Sequence, residues 1–187
     1  MYSEVLPYAL AGILAVVGLY LIVSLASRGS KRARARWTWW EVLVYLGVLG
    51  SVTVLAATSF IEVLRVGTLH GWMLFLHMCG AGAFVAVLPL VAITWCEPSR
   101  FCLTGTGLSV TDRGPAPRFF GVSKLMFWML LVSGFVVTMT MILSMLPLFG
   151  TDGLETLLAV HRYAGLVAVA AVALHLATVL MQRVKLA

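Results

Sequence analysis

Four histidines, His70, His77, His161 and His175, stand in a chain that is otherwise short of polar side chains. Each lies within or at the edge of an apolar run, and none lies in a long loop. A neutral imidazole offers a nitrogen lone pair to a metal and serves as an axial ligand of haem iron. An ionisable group inside a membrane span is costly, and is a functional-site hypothesis by default. A single membrane histidine can also be a hydrogen-bonding tie between helices. Four of them on two segments weigh against that reading for the whole set.

Spacing decides which could act together. His161 and His175 are fourteen positions apart, which on a helix sets them within about 40° of each other and about 21 Å apart along the axis. His70 and His77 would fall within about 20° and about 10 Å, so one face of each helix is expected to carry both histidines. His77 stands 23 residues before Arg100, and His161 stands 22 before Arg183. These two are therefore expected at similar depth on parallel spans, facing each other across a bundle core as bis-histidine haem b requires. His70 would lie two turns farther out, at the interface.

His175 is eight residues from Arg183, and no histidine occupies the matching level, near Ala92, of the third span. Tyr45, Met126 and Met129 are the nearest candidates at that depth. His175 reads as one ligand of a second haem, as a hydrogen-bond partner of a quinone, or as a structural residue. Gly80 and Gly82, in the run GAGA, and Gly165 leave room either for a flat cofactor or for close helix packing. Arg162 reads either as a partner for a haem propionate or as a snorkelling interface charge. A tetrahedral zinc site is disfavoured because the histidines are not at one depth.

The elements that must position these residues follow from composition. The chain has 187 residues, 61% hydrophobic and 11% charged, with a mean hydropathy of +1.03. A soluble domain carries about a quarter charged residues. Five apolar runs, roughly 8–26, 40–64, 69–95, 125–148 and 154–181, are each long enough to cross a bilayer as a helix. In lipid the backbone must be satisfied within the segment, so helices are expected; the alternation of a barrel strand is missing. The first run has no basic region before it and no A-x-A site after it, and reads as a retained helix rather than a signal peptide.

Charge sets the expected orientation. Arg28, Lys31, Arg32, Arg34, Arg36, Arg100, Arg113, Arg118, Lys124, Arg183 and Lys185 fall on one side of five crossings. By the positive-inside rule that side is cytoplasmic and the N-terminus lies outside. Juxtamembrane cations facing anionic lipid account for the net charge of +6, and no nucleic acid is needed. Trp37, Trp39 and Trp40 read as interfacial anchors. Cys79 is expected to be buried. Cys96 and Cys102 face a reducing compartment, where a structural disulfide is not expected, and there is no CxxCH motif.

The expected architecture is an all-α integral membrane protein. A four-helix haem-binding bundle (residues 37–187) follows one extra N-terminal transmembrane helix and its basic loop (residues 1–36). The short connection near residues 65–68 makes the second and third spans antiparallel neighbours. Asp152 is a candidate N-cap for the last span, after Gly150. The polar connection from Glu97 to Ser123 is a loop, and the one segment long enough to dock a cytoplasmic partner.

The pair of histidines fourteen apart on the last span, preceded by a single-histidine span two helices earlier, resembles the cytochrome b subunits of membrane-bound formate dehydrogenases and related hydrogenases. The resemblance covers the last four spans. It implies a bundle that binds two haems b and passes electrons between a quinone and an external redox subunit. It also implies that His77 and His161 ligate the outer haem and that His175 is a ligand of the inner haem, beside a quinone site. The family's fourth histidine lies near the start of the first bundle helix, where this chain reads WTWWEVLVYLG. The extra N-terminal span is a second departure. Histidines fourteen apart also occur in the cytochrome b of quinol–cytochrome c reductases, a more distant likeness.

The expected function is therefore electron transfer between the membrane quinone pool and an extracytoplasmic partner through haem b. The chain would sit in a bacterial cytoplasmic (inner) membrane. It has no nucleotide, iron–sulfur or molybdenum motif, so substrate chemistry would belong to other subunits, with a c-type cytochrome or iron–sulfur protein as the outer partner. The contrasting class is a haem-free scaffold or small transporter. Transporters usually place carboxylates or broken helices at mid-membrane, and here the main interior break is Pro89.

Overall fold

The structure, a computed structural model, describes residues 2–26, 37–97, 99, 102–104, 107–109 and 121–184. Five long helices dominate it: α1 (Tyr2–Ala26), α2 (Trp39–Arg65), α3 (Gly71–Trp95), α4 (Gly121–Ser144) and α5 (Thr151–Val184). All five are long and apolar enough to cross a bilayer, and the protein is an all-α, multi-pass integral membrane protein. Large apolar side chains such as Ile93, Leu19, Val132 and Phe135 face outward from the spans. An apolar surface of this extent would be a liability in water; on a membrane protein it is the lipid contact.

Local chemistry fixes the helix ends. Thr38 caps α2 through a reciprocal box: its hydroxyl accepts from Glu41 N at 3.3 Å, and the Glu41 carboxylate accepts from Thr38 N at 2.7 Å. The other end of α2 closes at Gly67, whose φ of +86° is a conformation that glycine adopts without steric cost. The Gly67 N–H donates to the carbonyls of Glu62 and Val63. The chain then reverses in a few residues, making α2 and α3 antiparallel neighbours.

The helices pack as two pairs, α2 on α3 and α4 on α5, and the pairs touch each other much less than their members do. Close approach within and between them uses glycine. A Cβ on Gly80 would lie 3.0 Å from Val54 Cγ1 on α2, and one on Gly134 would lie 2.9 Å from Phe84 Cζ on α3. In the half toward the long α3–α4 connection, side chains fill the space between the pairs. Val44, Val48, Phe84, Val91, Trp95, Phe127, Ala171 and Val172 form one buried cluster there. Helix α1 lies outside the pairs. Its best-buried residue is Leu6, against Val63 of α2 and Leu166 of α5, with Tyr2, Leu10 and Ile13 beside it.

Several details differ from the sequence expectation. Helix α4 starts four residues before its apolar run and takes in Ser123 and Lys124, only 0% and 1% exposed. Hydropathy treats those residues as loop. In the fold the Ser123 hydroxyl is satisfied by Thr178 Oγ1 of α5 at 2.6 Å. Cys79 is exposed on the bundle surface, not buried, because α3 turns its neighbour Gly80 toward α2. Helix α5 begins at Thr151, so Asp152 lies in its first turn and is not the cap. Pro89 leaves α3 unbroken. Trp39 and Trp40 face outward as anchors would, whereas Trp37 turns inward onto Tyr45 and Trp95, with centroids 5.0 and 5.8 Å away. Within the connection read as loop, Cys102–Thr104 and Gly107–Ser109 pair as a short antiparallel ladder. The basic residues Arg28, Lys31, Arg32, Arg34, Arg36, Arg100, Arg113, Arg118 and Lys185 lie outside the described residues.

Gly134 should be intolerant of bulk. Gly134→Val is expected to lower stability in detergent by about 1–3 kcal/mol through overpacking, read as a lower thermal midpoint. Gly82→Ala, where an added Cβ meets nothing within 4 Å, should leave the midpoint nearly unchanged. Equal midpoints for the two variants would contradict the close α3–α4 approach.

Candidate functional site

In the half toward the short turns, the two helix pairs separate around an apolar cavity of about 510 Å³. That size lies within the range of sites that enclose a ligand of several hundred daltons. Its floor is formed by Val52, Phe84 and Ala168, which belong to the packed cluster of the opposite half. His77 of α3 and His161 of α5 both line it, one from each helix pair. Parallel spans and matched depth are what bring these two together across 84 residues of sequence.

Each imidazole is tied to its pair-mate helix by a threonine. His77 Nδ1 is 3.0 Å from Thr58 Oγ1 on α2, and His161 Nδ1 is 3.1 Å from Thr140 Oγ1 on α4. A hydroxyl has one proton to give. Thr58 gives its proton to the Val54 carbonyl, at 2.7 Å, and Thr140 gives its own to the carbonyls of Val136 and Val137, at 3.0 and 2.9 Å. The hydroxyl oxygens can then only accept from the rings. With the hydroxyl protons on the backbone, the proton of each neutral imidazole sits on Nδ1 and Nε2 is the lone-pair nitrogen, the tautomer this network favours. Ligating histidines carry this kind of outer hydrogen bond, which fixes tautomer and ring orientation.

The remaining candidates fall elsewhere. His70 precedes α3 in extended conformation and makes no capping hydrogen bond. It therefore does not share a helical face with His77, and it does not line the cavity. Its ring lies 3.2 Å from the Glu62 carboxylate and 3.3 Å from the Thr68 carbonyl. His175 lies deeper on α5. Its Nδ1–H donates to the Ser123 carbonyl of α4 at 3.1 Å, and its ring centroid is 6.0 Å from that of Tyr45. Gly80 serves α2–α3 contact and Gly82 faces away from the protein, so neither lines the cavity. Gly165 does line it, and a Cβ there would meet nothing within 4 Å. Arg162 lines it as well.

Among the described residues, no three His, Cys, Asp or Glu side chains come together to hold a metal ion. The cavity instead presents two imidazoles, an apolar wall and the Arg162 cation, a lining that would suit a broad apolar group with an anionic edge and two free coordination positions.

Sequence reasoning missed three residues of this site: Thr58, Thr140 and Tyr2. Each threonine sits on the pair-mate helix at the level of its histidine, a match visible only once the helices are paired. Tyr2 lines the cavity from α1, a helix that reads as peripheral because it is built of Ala, Val, Leu and Gly. Comparison with family models, with curated proteins and with solved structures finds no match for this chain.

Thr140→Val keeps the shape of the side chain and removes the acceptor. In the ligand-free chain, nitrogen-detected magnetic resonance should report the Nδ1–H tautomer of His161 for the wild type and a loss of that preference in the variant. Leaving the ring donor unpaired should also cost about 1–3 kcal/mol. An unchanged tautomer would mean that the hydroxyl does not hold the ring. Thr58→Val makes the same test at His77.

Proposed function

We propose that this chain is a membrane cytochrome b-type subunit that carries electrons between the quinone pool and an extracytoplasmic redox partner. The observation that carries the reading is the pair His77 and His161: two imidazoles from different helix pairs, lining one apolar cavity, each with Nδ1 occupied by a threonine. Both Nε2 atoms are thereby the nitrogens offered to a metal. Bound in this cavity, haem b would supply a one-electron iron couple.

The chain's own residues account for the rest. His77 and His161 would hold the haem iron, and Thr58 and Thr140 orient their rings. The apolar lining excludes water, which otherwise stabilises charge on the site. Arg162 offers a cation to a propionate. The cavity lies beside the short α2–α3 and α4–α5 turns. If the basic flanks face the cytoplasm, that end is extracytoplasmic, within reach of a c-type cytochrome or iron–sulfur protein. His175, near the opposite end and beside Tyr45, is the residue assigned to the quinone. Its Nδ1 is taken by the Ser123 carbonyl and its ring lies beside Tyr45, with no second histidine at its level, which favours one haem per chain over two. The reading sets the chain in a bacterial cytoplasmic membrane as one subunit of a quinone-linked complex.

The purified chain, reduced with dithionite, should show a b-type α band, with about one haem per polypeptide on this reading. His77→Ala and His161→Ala should each abolish the band, while His70→Ala should leave it. His175→Ala should keep the band but slow its reduction by a quinol analogue. A featureless reduced spectrum of the wild type would favour the haem-free scaffold or transporter. Full haem content in His161→Ala would remove the ligand assignment.

A further inference from the structure

The first turn of α1 meets the cavity wall. Tyr2 lines the same cavity as His161 and Arg162. The Arg162 guanidinium carbon lies 5.2 Å from the centroid of the Tyr2 ring, within cation–π range. The Tyr2 hydroxyl donates to the Arg162 backbone carbonyl at 3.4 Å, a long bond. The Tyr163 ring meets Tyr2 edge-on with centroids 5.7 Å apart. One turn further along α1, Leu6 is fully buried against Val63 and Leu166. Three consecutive residues of α5, His161 to Tyr163, therefore meet either the cavity or Tyr2.

We infer that the first turn of α1 completes the cavity wall, and that Tyr2 is a positioning residue that holds the Arg162 guanidinium at the cavity for an anionic group of the occupant. This rests on the haem reading above and makes the anionic group a propionate carboxylate. Tyr2 acts on Arg162 through entropy as well as electrostatics. An arginine side chain is rich in rotamers and loses them on binding. A guanidinium already stacked on an aromatic face has lost part of that freedom before the carboxylate arrives. Arg162 is only partly buried; without the ring it can swing to the membrane interface, as a snorkelling charge does. The two readings of Arg162 open at the sequence level thus become two rotameric states, and Tyr2 selects between them. The extra N-terminal span is thereby part of the binding site.

The electrostatic consequence has a definite sign. A cation near the haem favours the reduced iron, which carries one positive charge fewer. Displacing Arg162 should therefore move the midpoint potential in the negative direction.

The test uses the full-length chain in detergent, with three variants. Tyr2→Leu keeps an apolar side chain but removes the π face. Tyr2→Phe keeps the face and loses only the long hydrogen bond. Arg162→Gln removes the charge. Haem transfer to apomyoglobin should be about two- to thirtyfold faster in Tyr2→Leu and Arg162→Gln, and close to wild type in Tyr2→Phe. Redox titration should show the same negative shift in Tyr2→Leu and Arg162→Gln, and no further shift in the double variant. Wild-type transfer rate and potential in Tyr2→Leu overturn the inference while the haem reading stands. Tyr2→Phe failing as badly as Tyr2→Leu moves the effect to the hydroxyl and overturns the stacking assignment. A wild-type chain without haem sinks the reading on which both rest.

Discussion

The organisation of this bundle depends on one constraint: a polar group inside a membrane span must find its partner within the protein. The two imidazoles at the cavity meet it in the same way. Each gives its Nδ1 proton to a threonine hydroxyl on the neighbouring helix, at 3.0 Å for His77 and 3.1 Å for His161. Each threonine has already given its own proton to its helix backbone. The chain of donors and acceptors runs one way, from ring to hydroxyl to carbonyl. Reversing it would require each threonine to give up its bond to the helix backbone. In the Nδ1–H tautomer Nε2 is the ring nitrogen left to accept. His175 obeys the same constraint by giving its Nδ1 proton to a carbonyl in the first turn of α4.

The same constraint explains why the two halves of the bundle differ. Toward the long connection, the aromatic residues Trp37, Tyr45, Trp95 and Phe127 bring enough volume to join the helix pairs. Toward the short turns, the small residues Ala81 and Gly165 and the flexible Met141 stand among larger ones such as Phe60 and Leu158. The pairs separate there and leave the cavity. Methionine side chains are adaptable and let this wall adjust to what enters the cavity. Glycine plays a different part at Gly80 and Gly134, where it brings helices close together and keeps the pairs rigid around the gap.

Much of this was legible in the chain. The five spans, their approximate limits and their helical state follow from hydropathy, because a bilayer admits few alternatives. The depth match between His77 and His161 could be counted from the flanking charges, because helix rise is constant. The expectation that His70 shares a face with His77 failed for a local reason: helix α3 starts after His70, and helical angles do not extend past a helix end. The expected burial of Cys79 failed because one side of a membrane helix can be as apolar as the other. Hydropathy then cannot tell the lipid face from the core face. Lys124 shows the converse error, a charge read as loop that the fold buries.

The sequence by itself determined that the protein is a five-span helical membrane protein and that two of its histidines lie at one depth. Length, apolarity and the fixed rise of a helix suffice for that, since they concern each segment alone. Only the tertiary structure decided which helix is paired with which. That pairing determines which threonine meets which histidine, where the bundle opens into a cavity, and that Tyr2 and Arg162 share a wall of it. Those facts depend on the rotation of each helix about its own axis. In a span that is apolar all round, no periodic signal encodes that rotation; it is set by the packing of side chains against their neighbours.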